Sequence, residues 1–222
     1  MLCTFEYNNQ YHLVFPWADG GNLEDFWQKH FHEPRCYDLA KWICREILGI
    51  AQGLHLIHHP GPSSTTDERT EGRHGDIKPA NILWFPGNGG DRGTLKISDF
   101  GLTDYRHKAS ASKVPADSIG QTQTYRPPEC QIPGGCVSPS YDTWSLGCVL
   151  LQFVTWYAEG WEGVDEFSKR RSKASPPRKV RDLDVAGDLF YALAQPPTAN
   201  RAVEKVSDGP LLKFCPTGEP TF

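Results

Sequence analysis

The sequence lacks long hydrophobic runs and any excess of basic residues. No stretch of about 18 residues is apolar and free of charge, so we predict no membrane span. A net charge of −4 and a pI near 6.1 lack the basic surplus typical of nucleic-acid-binding proteins. The N-terminus has neither the basic start nor the apolar core of a signal peptide. We therefore expect a protein that binds neither membranes nor nucleic acid.

Cysteine pairing motifs are also absent. The seven cysteines include no C-x-x-C pair, and an odd number without a secretion signal favours reduced thiols. This pattern predicts a cytoplasmic or nuclear location. The composition is that of a folded protein, because 38% of the 222 residues are hydrophobic and 12% are aromatic. The chain is long enough for one sizeable domain.

Periodicity and turn signals predict several elements along the chain. A β-rich run at 11–15 ends at Pro16, and a turn at 19–22 precedes a helix. Isoleucine and leucine recur at intervals of three and four between Asp38 and His58, which predicts an amphipathic helix. Strands are predicted at 82–85 and 94–97, and a buried helix at 144–157. The polar stretches 60–73 and 104–117 are predicted to be loops.

Two charged features allow more than one interpretation. The histidines near the end of the predicted helix, His55, His58 and His59, could bind a metal, but no cysteine or acidic residue lies at ligand spacing. A helix C-terminus that favours cations explains them better. The run from Lys169 to Arg181 has seven basic residues in thirteen. It could be a nuclear localisation signal or an anion-docking surface, but a solvated loop is the favoured interpretation.

Three short motifs occur in order, followed by a fourth: HGDIKPAN at 74–81, DFG at 99–101, PPE at 127–129 and DTWSLG at 142–147. Together they resemble the signature of eukaryotic protein kinases, with Gly75 where that family usually has arginine and Pro127 where it has alanine. The resemblance covers about residues 10–160 and is most specific between 74 and 147. Four motifs in one order make chance agreement very improbable.

The resemblance implies an α+β fold. We expect a mostly helical C-terminal lobe with a small β-hairpin, together with a remnant of the N-terminal sheet and hinge. The expected organisation is a remnant of the N-terminal lobe and hinge at 1–21, the C-terminal lobe at 22–160 and a divergent remainder or tail at 161–222. The polar segment after the DFG motif would be an activation loop.

The resemblance also implies roles for individual residues. Asp76 would orient the substrate hydroxyl, Lys78 would contact the γ-phosphate, and Thr122 would bond to both. Asn81 and Asp99 would be the Mg²⁺ ligands, since hard oxygen donors suit this ion. The structural residues would be Phe100, Gly101, Glu129 and Asp142. ATP would meet Pro16, Ala18 and Leu83 around its adenine.

These residues imply a serine/threonine kinase, because a lysine two places after the catalytic aspartate is typical of that branch. Its cofactors would be ATP and Mg²⁺, and its partner a protein substrate with a serine or threonine. The 222 residues contain no glycine-rich phosphate loop, and the first lysine is Lys29, so we expect a truncated chain that is inactive alone. The alternative is a pseudokinase-like binding or scaffold module. The sequence does not predict the oligomeric state.

Gly75 carries one more expectation. In the related kinases an arginine here pairs with a phosphate on the activation loop, and glycine offers neither the charge nor the donors. The sequence therefore predicts a kinase that does not need phosphorylation of this loop.

Overall fold

The computed structural model describes residues 1–30, 33–61, 70–107, 114–115, 124–131, 134–174, 178–180, 183–185, 188–193 and 212–214. Its helices are α1 (Leu23–Lys29), α2 (Tyr37–His58) and α3 (Ser140–Ala174). Its first strands are β1 (Cys3–Tyr7), β2 (Gln10–Val14), β3 (Thr70–Arg73), β4 (Ile82–Phe85), β5 (Thr94–Ile97) and β6 (Asp104–His107). The others are β7 (Val114–Pro115), β8 (Cys136–Val137), β9 (Arg178–Val180), β10 (Leu183–Val185), β11 (Tyr191–Leu193) and β12 (Leu212–Phe214). All sheets in this part of the chain are antiparallel pairs: β1–β2, β3–β6, β4–β5, β7–β8, β9–β10 and β11–β12.

The N-terminal hairpin contains the β-rich run that the sequence predicts. Strands β1 and β2 pair from Cys3 opposite Val14 to Tyr7 opposite Gln10. Asn8 and Asn9 connect them with positive φ angles of 50° and 55°, as a tight two-residue turn of this kind requires. Nearly every residue of the hairpin is exposed, so its side chains add little to the core.

The first two helices begin at residues that cap their free N–H groups. Asn22 Oδ1 accepts the Asp25 N–H, and the Asn22 N–H donates to the Asp25 carboxylate, which is a capping box. The predicted helix at 38–58 is confirmed as α2. Its N-cap residue is Cys36, whose Sγ accepts the N–H of Leu39 in the first turn. The apolar face of α2 is buried and its opposite face is exposed.

The predicted hairpin at 82–97 is confirmed as β4 and β5, and helix α2 holds it in place. The buried Glu46 carboxylate of α2 accepts the Leu95 N–H at 2.8 Å, while the Trp42 indole donates to the Gly93 carbonyl at 2.8 Å. On its other side β4 meets the segment before α1, where Trp84 N–H donates to Gly21 O at 2.8 Å. The hairpin is therefore fixed between α2 and the end of the hinge segment.

The main core joins the helices to this hairpin through aromatic side chains. Phe26 of α1 lies within about 5 Å of Trp42, Trp84 and Trp156, with ring centroids 5.2, 4.9 and 5.4 Å away. The Trp156 indole donates to Trp27 O at 3.0 Å, so its polar group is satisfied inside the core. Aromatic rings bury large apolar areas, so this cluster is a main part of the hydrophobic core that joins the helices to the β4–β5 hairpin.

Two loop predictions are partly wrong. Helix α3 contains the predicted buried helix at 144–157 but continues past a kink at Gly160 to Ala174, so 169–174 are helical rather than loop. Lys169 and Arg170 pair one turn back with Asp165 and Glu166, which supports this helical end. Residues 70–73 and 104–107, also predicted as loop, pair as β3 and β6.

The described elements are helices and antiparallel strand pairs, so the α+β fold class that the sequence predicts is confirmed. No helix in the described ranges is apolar enough to cross a bilayer.

Candidate active site

The loop between β3 and β4, residues 74–81, is the predicted catalytic loop and gathers three of the predicted residues around one carboxylate. Lys78 Nζ lies 2.7 Å from Asp76 Oδ2, and Asn81 Nδ2 lies 3.0 Å from the same oxygen. Asn81 Nδ2 also donates to the Asp76 carbonyl at 2.9 Å. These bonds fix the Asp76 side chain. Both Asn81 bonds come from its amide nitrogen, so Asn81 Oδ1 takes no part in them.

The loop backbone is held from below by Asp142, at the start of α3. Its carboxylate is fully buried and accepts the N–H groups of His74 and Gly75 at 2.7 and 2.8 Å. His58, the last residue of α2, donates from Nε2 to the same carboxylate at 2.8 Å. One carboxylate therefore ties both helices to the catalytic loop.

His74 connects the catalytic loop to the DFG segment. The side chain is fully buried, with Nε2 3.0 Å from Ser98 O and Nδ1 3.3 Å from Asp76 N. Both contacts are satisfied by the neutral tautomer protonated at Nε2. Burial lowers the pKa of His74, although the nearby carboxylates of Asp142, Asp76 and Asp99 oppose this shift. The ring is thus a neutral structural bridge.

The DFG segment follows β5 and is fastened to Asn81. Ser98 donates to the Asn81 carbonyl from both its N–H and its hydroxyl, at 2.9 and 3.0 Å. Asp99 adopts a left-handed conformation with φ of 64°, and its carboxylate accepts the Gly101 N–H at 3.3 Å. The Phe100 ring lies 5.4 Å from the His74 ring. This arrangement turns the Asp99 carboxylate outward, where it is free to bind a cation.

The donors around Asp99 fit Mg²⁺. Asp99 offers a carboxylate with a single backbone contact, and Asn81 offers an amide oxygen, both of which are hard ligands. No group of three histidine, cysteine or acidic side chains in the described ranges could form a separate metal centre. Mg²⁺ suits such a site because it keeps several waters and shares phosphate oxygens.

The predicted adenine contacts lie in the hinge segment and on β4. Leu83 forms an isolated β-bridge with Asn22, so its backbone lies beside the segment before α1, and Leu83 is half-buried. The Ala18 carbonyl accepts Gly21 N–H at 3.1 Å, which closes a turn there. Pro16 is exposed. Their assignment to ATP remains a prediction.

The segment before α3 carries the remaining predicted residues. Thr122 lies outside the described residues. Glu129 lines a cavity of about 540 Å³ with Trp144, Leu151 and Phe190. Beside this segment, the buried Tyr125 hydroxyl donates to Gln152 at 3.0 Å, and burial raises its pKa.

Sequence reasoning missed two supporting residues, His58 and Ser98. The sequence held a signal for His58, because it lies four residues after Leu54 and one after Ile57, on the apolar face of α2. No pattern marked Ser98, whose role depends on contacts with residues distant in the sequence.

Comparisons with known proteins agree with this geometry. A sequence model described as "Protein kinase domain" matches residues 1–181. Mitogen-activated protein kinase kinase 1 from Arabidopsis thaliana is 31% identical over 182 residues, covering 78% of this chain and 45% of that protein. Mitogen-activated protein kinase kinase 2 from the same plant is 31% identical over 220 residues, covering 94% and 54%. Interleukin-1 receptor-associated kinase 1 from Mus musculus is 32% identical over 149 residues, covering 64% and 19%.

The chain belongs to the protein kinase domain family. The match extends to residue 181, beyond the expected end of the resemblance near 160. The chain spans about half the length, or less, of these curated relatives. Among solved structures, the crystal structure of the yeast RNA Pol II CTD kinase CTDK-1 complex is similar at a TM-score of 0.47 and 24% identity, covering 69% of this chain and 43% of that chain.

Proposed function

We propose that this chain is part of a protein serine/threonine kinase that transfers the γ-phosphoryl group of ATP to a hydroxyl of a protein substrate. The observation that carries the proposal is the Asp76 carboxylate, held between Lys78 and Asn81 at hydrogen-bonding distance. Phosphoryl transfer needs positioning and charge neutralisation more than covalent chemistry, and these side chains supply both.

Each residue of the loop has a distinct part in the proposed transfer. Asp76 accepts a hydrogen bond from the substrate hydroxyl and takes up its proton as that oxygen bonds to the γ-phosphorus. The bond between the γ-phosphorus and the bridging oxygen of ATP breaks in the same transfer, and ADP is the leaving group. Lys78 places a positive charge beside the transferred group. The assignment to serine/threonine substrates rests on this lysine and on the name of a further relative, the SNF-related serine/threonine-protein kinase from Rattus norvegicus, which is 29% identical over 143 residues.

Asn81 and Asp99 would hold Mg²⁺, which neutralises charge on the ATP phosphates when bound. His74 and Asp142 maintain the loop from below without touching the reacting atoms. Leu83, Ala18 and Pro16 would contact adenine.

The 222 residues alone should show no measurable turnover. Before Lys29 they contain no lysine and no G-x-G-x-x-G phosphate loop, and both features normally position the phosphates. The same observation favours the second candidate, a non-catalytic binding or scaffold module. A chimera separates the two candidates.

In the test, the part of mitogen-activated protein kinase kinase 1 from Arabidopsis thaliana that precedes the matched region is fused to the N-terminus of this chain. Phosphate transfer from ATP to a generic protein substrate is then measured. We expect activity that falls about 10²- to 10⁴-fold in Asp76→Asn, the usual contribution of a positioned acid–base group. The exposed Asp91→Asn serves as control. A folded chimera that binds Mg²⁺–ATP without transfer would support the binding module. Turnover by the 222 residues alone, abolished by Asp76→Asn, would refute the expected inactivity.

A further inference from the structure

A cavity of about 240 Å³ lies between helix α1, the catalytic loop and the end of helix α3. Helix α3 turns at Gly160, whose φ of 77° interrupts the helical backbone, and the part after this kink lines the cavity. The lining residues of this part have the three- and four-residue spacing of one helix face: Trp161, Val164, Asp165, Ser168 and Arg171. They lie beyond residue 160, where the sequence resemblance was expected to end.

The cavity contains a buried arginine with one unsatisfied donor. Arg171 is 1% exposed, and its Nε and Nη2 lie 2.8 and 3.4 Å from the two carboxylate oxygens of Asp188. Its Cζ lies 4.4 and 4.1 Å from the ring centroids of Phe167 and Phe190. Its Nη1 has no hydrogen-bond partner in the described part of the chain. Since Asp188 already balances the charge, a neutral acceptor such as a carbonyl oxygen suits this donor better than an anion.

A second residue of the lining also has an unsatisfied donor. Trp27 of α1 is 1% exposed, and its indole Nε1 has no hydrogen-bond partner among the described residues. Buried donors in folded proteins nearly always have a partner, because leaving one unpaired is costly. Two such donors on the lining of one cavity favour a ligand that carries carbonyl oxygens, as a polypeptide backbone does.

Acidic side chains give the lining an excess of negative charge. Glu24, in the first turn of α1, is exposed, and Asp165 of α3 is partly exposed. Asp165 pairs with Lys169 one turn further on, but an exposed pair of this kind contributes little and can be exchanged. Because Arg171 and Asp188 balance each other, the carboxylates of Glu24 and Asp165 remain in excess. This charge favours a cationic ligand group.

Aromatic rings complete the lining, and the catalytic loop adjoins it. Tyr125 and Trp161 can stack on a guanidinium group or cover the aliphatic stem of a basic side chain. Pro79 also lines the cavity and directly follows Lys78, whose Nζ lies 2.7 Å from Asp76 Oδ2. A chain segment held in the cavity is therefore close to the carboxylate proposed to receive the substrate hydroxyl.

We propose that this cavity binds a segment of the protein substrate that carries a basic side chain near the phosphorylated residue. The cation contacts Glu24 and Asp165, while backbone carbonyls of the same segment accept hydrogen bonds from Arg171 and Trp27. The proposal rests on the proposed function, because it takes the bound segment to be part of the substrate that reaches Asp76. It adds the substrate class, which is a protein with a basic residue at one position beside the acceptor.

The test measures the binding of fluorescent serine peptides to the full 222-residue chain by anisotropy. One arginine is moved through the positions on either side of the serine in an alanine background, and each peptide is compared with its glutamine counterpart. We expect one position at which arginine tightens binding about tenfold, equivalent to about 1.4 kcal/mol. Glu24→Gln should reduce this preference to about twofold or less. Glu166→Gln, at an exposed position outside the lining, is the matched control and should retain the full preference.

A second variant tests the contacts to the peptide backbone. Trp27→Phe keeps an aromatic ring but removes the indole N–H, so it should weaken the arginine and glutamine peptides alike, by about threefold, and leave the preference for arginine intact. Melting temperatures show whether each variant folds, and Glu24→Gln at its exposed position tests the cation contact even if Trp27→Phe does not fold. The absence of any arginine preference in wild type, or an equal preference in wild type and Glu24→Gln, overturns the proposal.

The chimera described above separates this proposal from the proposed function. If the chimera transfers phosphate but its kcat/KM does not favour the arginine peptide, or favours it equally in wild type and Glu24→Gln, the cavity does not select the substrate and the transferase function stands. If the chimera transfers no phosphate while the 222-residue chain still binds arginine peptides through Glu24, the cavity is a basic-peptide site and the transferase function fails.

Discussion

The catalytic loop and the N-terminal hairpin are both short segments of irregular and extended backbone, but the molecule holds them differently. Buried groups from two helices bind the loop, through Asp142 and His58. The hairpin is held by its own strand pairing and contributes no residue to either buried cluster of the described chain. The conformation of the loop therefore depends on contacts with the rest of the fold, whereas the conformation of the hairpin depends on its own strand pairing.

Removal of Asp142 should produce the largest loss of stability. Asp142→Ala leaves three donors without their acceptor, and each unsatisfied buried group costs about 1 to 3 kcal/mol. We expect a loss of about 3 kcal/mol or more in the free energy of unfolding, measured by urea denaturation. Asp165→Ala, which removes an exposed i,i+4 pair, should cost less than about 1 kcal/mol. Equal midpoints for the two variants would mean that the loop does not depend on α3.

Alanine substitutions at two positions with positive φ, one in the loop and one in the hairpin, should differ in their effect on the free energy of unfolding. Gly75 has φ of 86°, and a Cβ there would lie 3.1 Å from Leu102 O, so Gly75→Ala should destabilise the fold by about 1 to 3 kcal/mol. Asn9→Ala, at φ of 55° in the hairpin turn, introduces similar strain. Since the hairpin is held only by its own strand pairing, the midpoint of global unfolding of Asn9→Ala should match that of wild type. A large shift for Asn9→Ala would show that the hairpin unfolds with the core.

The neutral His74 should make the loop sensitive to acid. Because burial lowers its pKa in the folded state, the unfolded chain binds more protons once the pH falls below about 6.5. The stability due to neutral His74 is therefore complete above that pH and is lost as the pH falls towards the lowered value. His74→Gln should show a shallower decline than wild type in urea midpoints measured from neutral to acidic pH. Parallel curves would contradict a neutral, buried His74.

The sequence predicted the elements whose signals are local. The 3.6-residue period of α2 and the glycine-rich turn between β4 and β5 each lie within one segment, and both elements were confirmed. The pairing of β3 with β6 was missed because the two strands are distant in sequence and neither alternates clearly between polar and apolar residues. The basic segment Lys169–Lys173 was predicted as a loop because it was considered without the preceding Asp165 and Glu166. These two residues form i,i+4 ion pairs with Lys169 and Arg170, as is typical of a helix.

The same division applies to the site. The motif residues Asp76, Lys78, Asn81 and Asp99 could be proposed from the sequence because their order and spacing are distinctive. Their supports were harder to assign. The period of α2 places His58 on the apolar face, but its bond to Asp142, like the bond of Ser98 to Asn81, joins residues distant in the sequence and is revealed only by the tertiary structure. A histidine at a helix end and a serine after a strand are ordinary features of a sequence. Their contacts in the folded chain show which groups they support.

The smallest effect should come from the exposed face of the hairpin. Leu13 is 57% exposed, so Leu13→Ala removes little buried surface and should change the free energy of unfolding by less than about 0.5 kcal/mol. Leu54→Ala, in the buried face of α2, is the matched control and should cost about 2 to 5 kcal/mol, since the same methyl groups are lost from a packed core. Both values come from urea denaturation monitored by tryptophan fluorescence. A loss above about 1 kcal/mol for Leu13→Ala would mean that the hairpin packs against the body of the protein in solution, and the contrast with the catalytic loop would then fail.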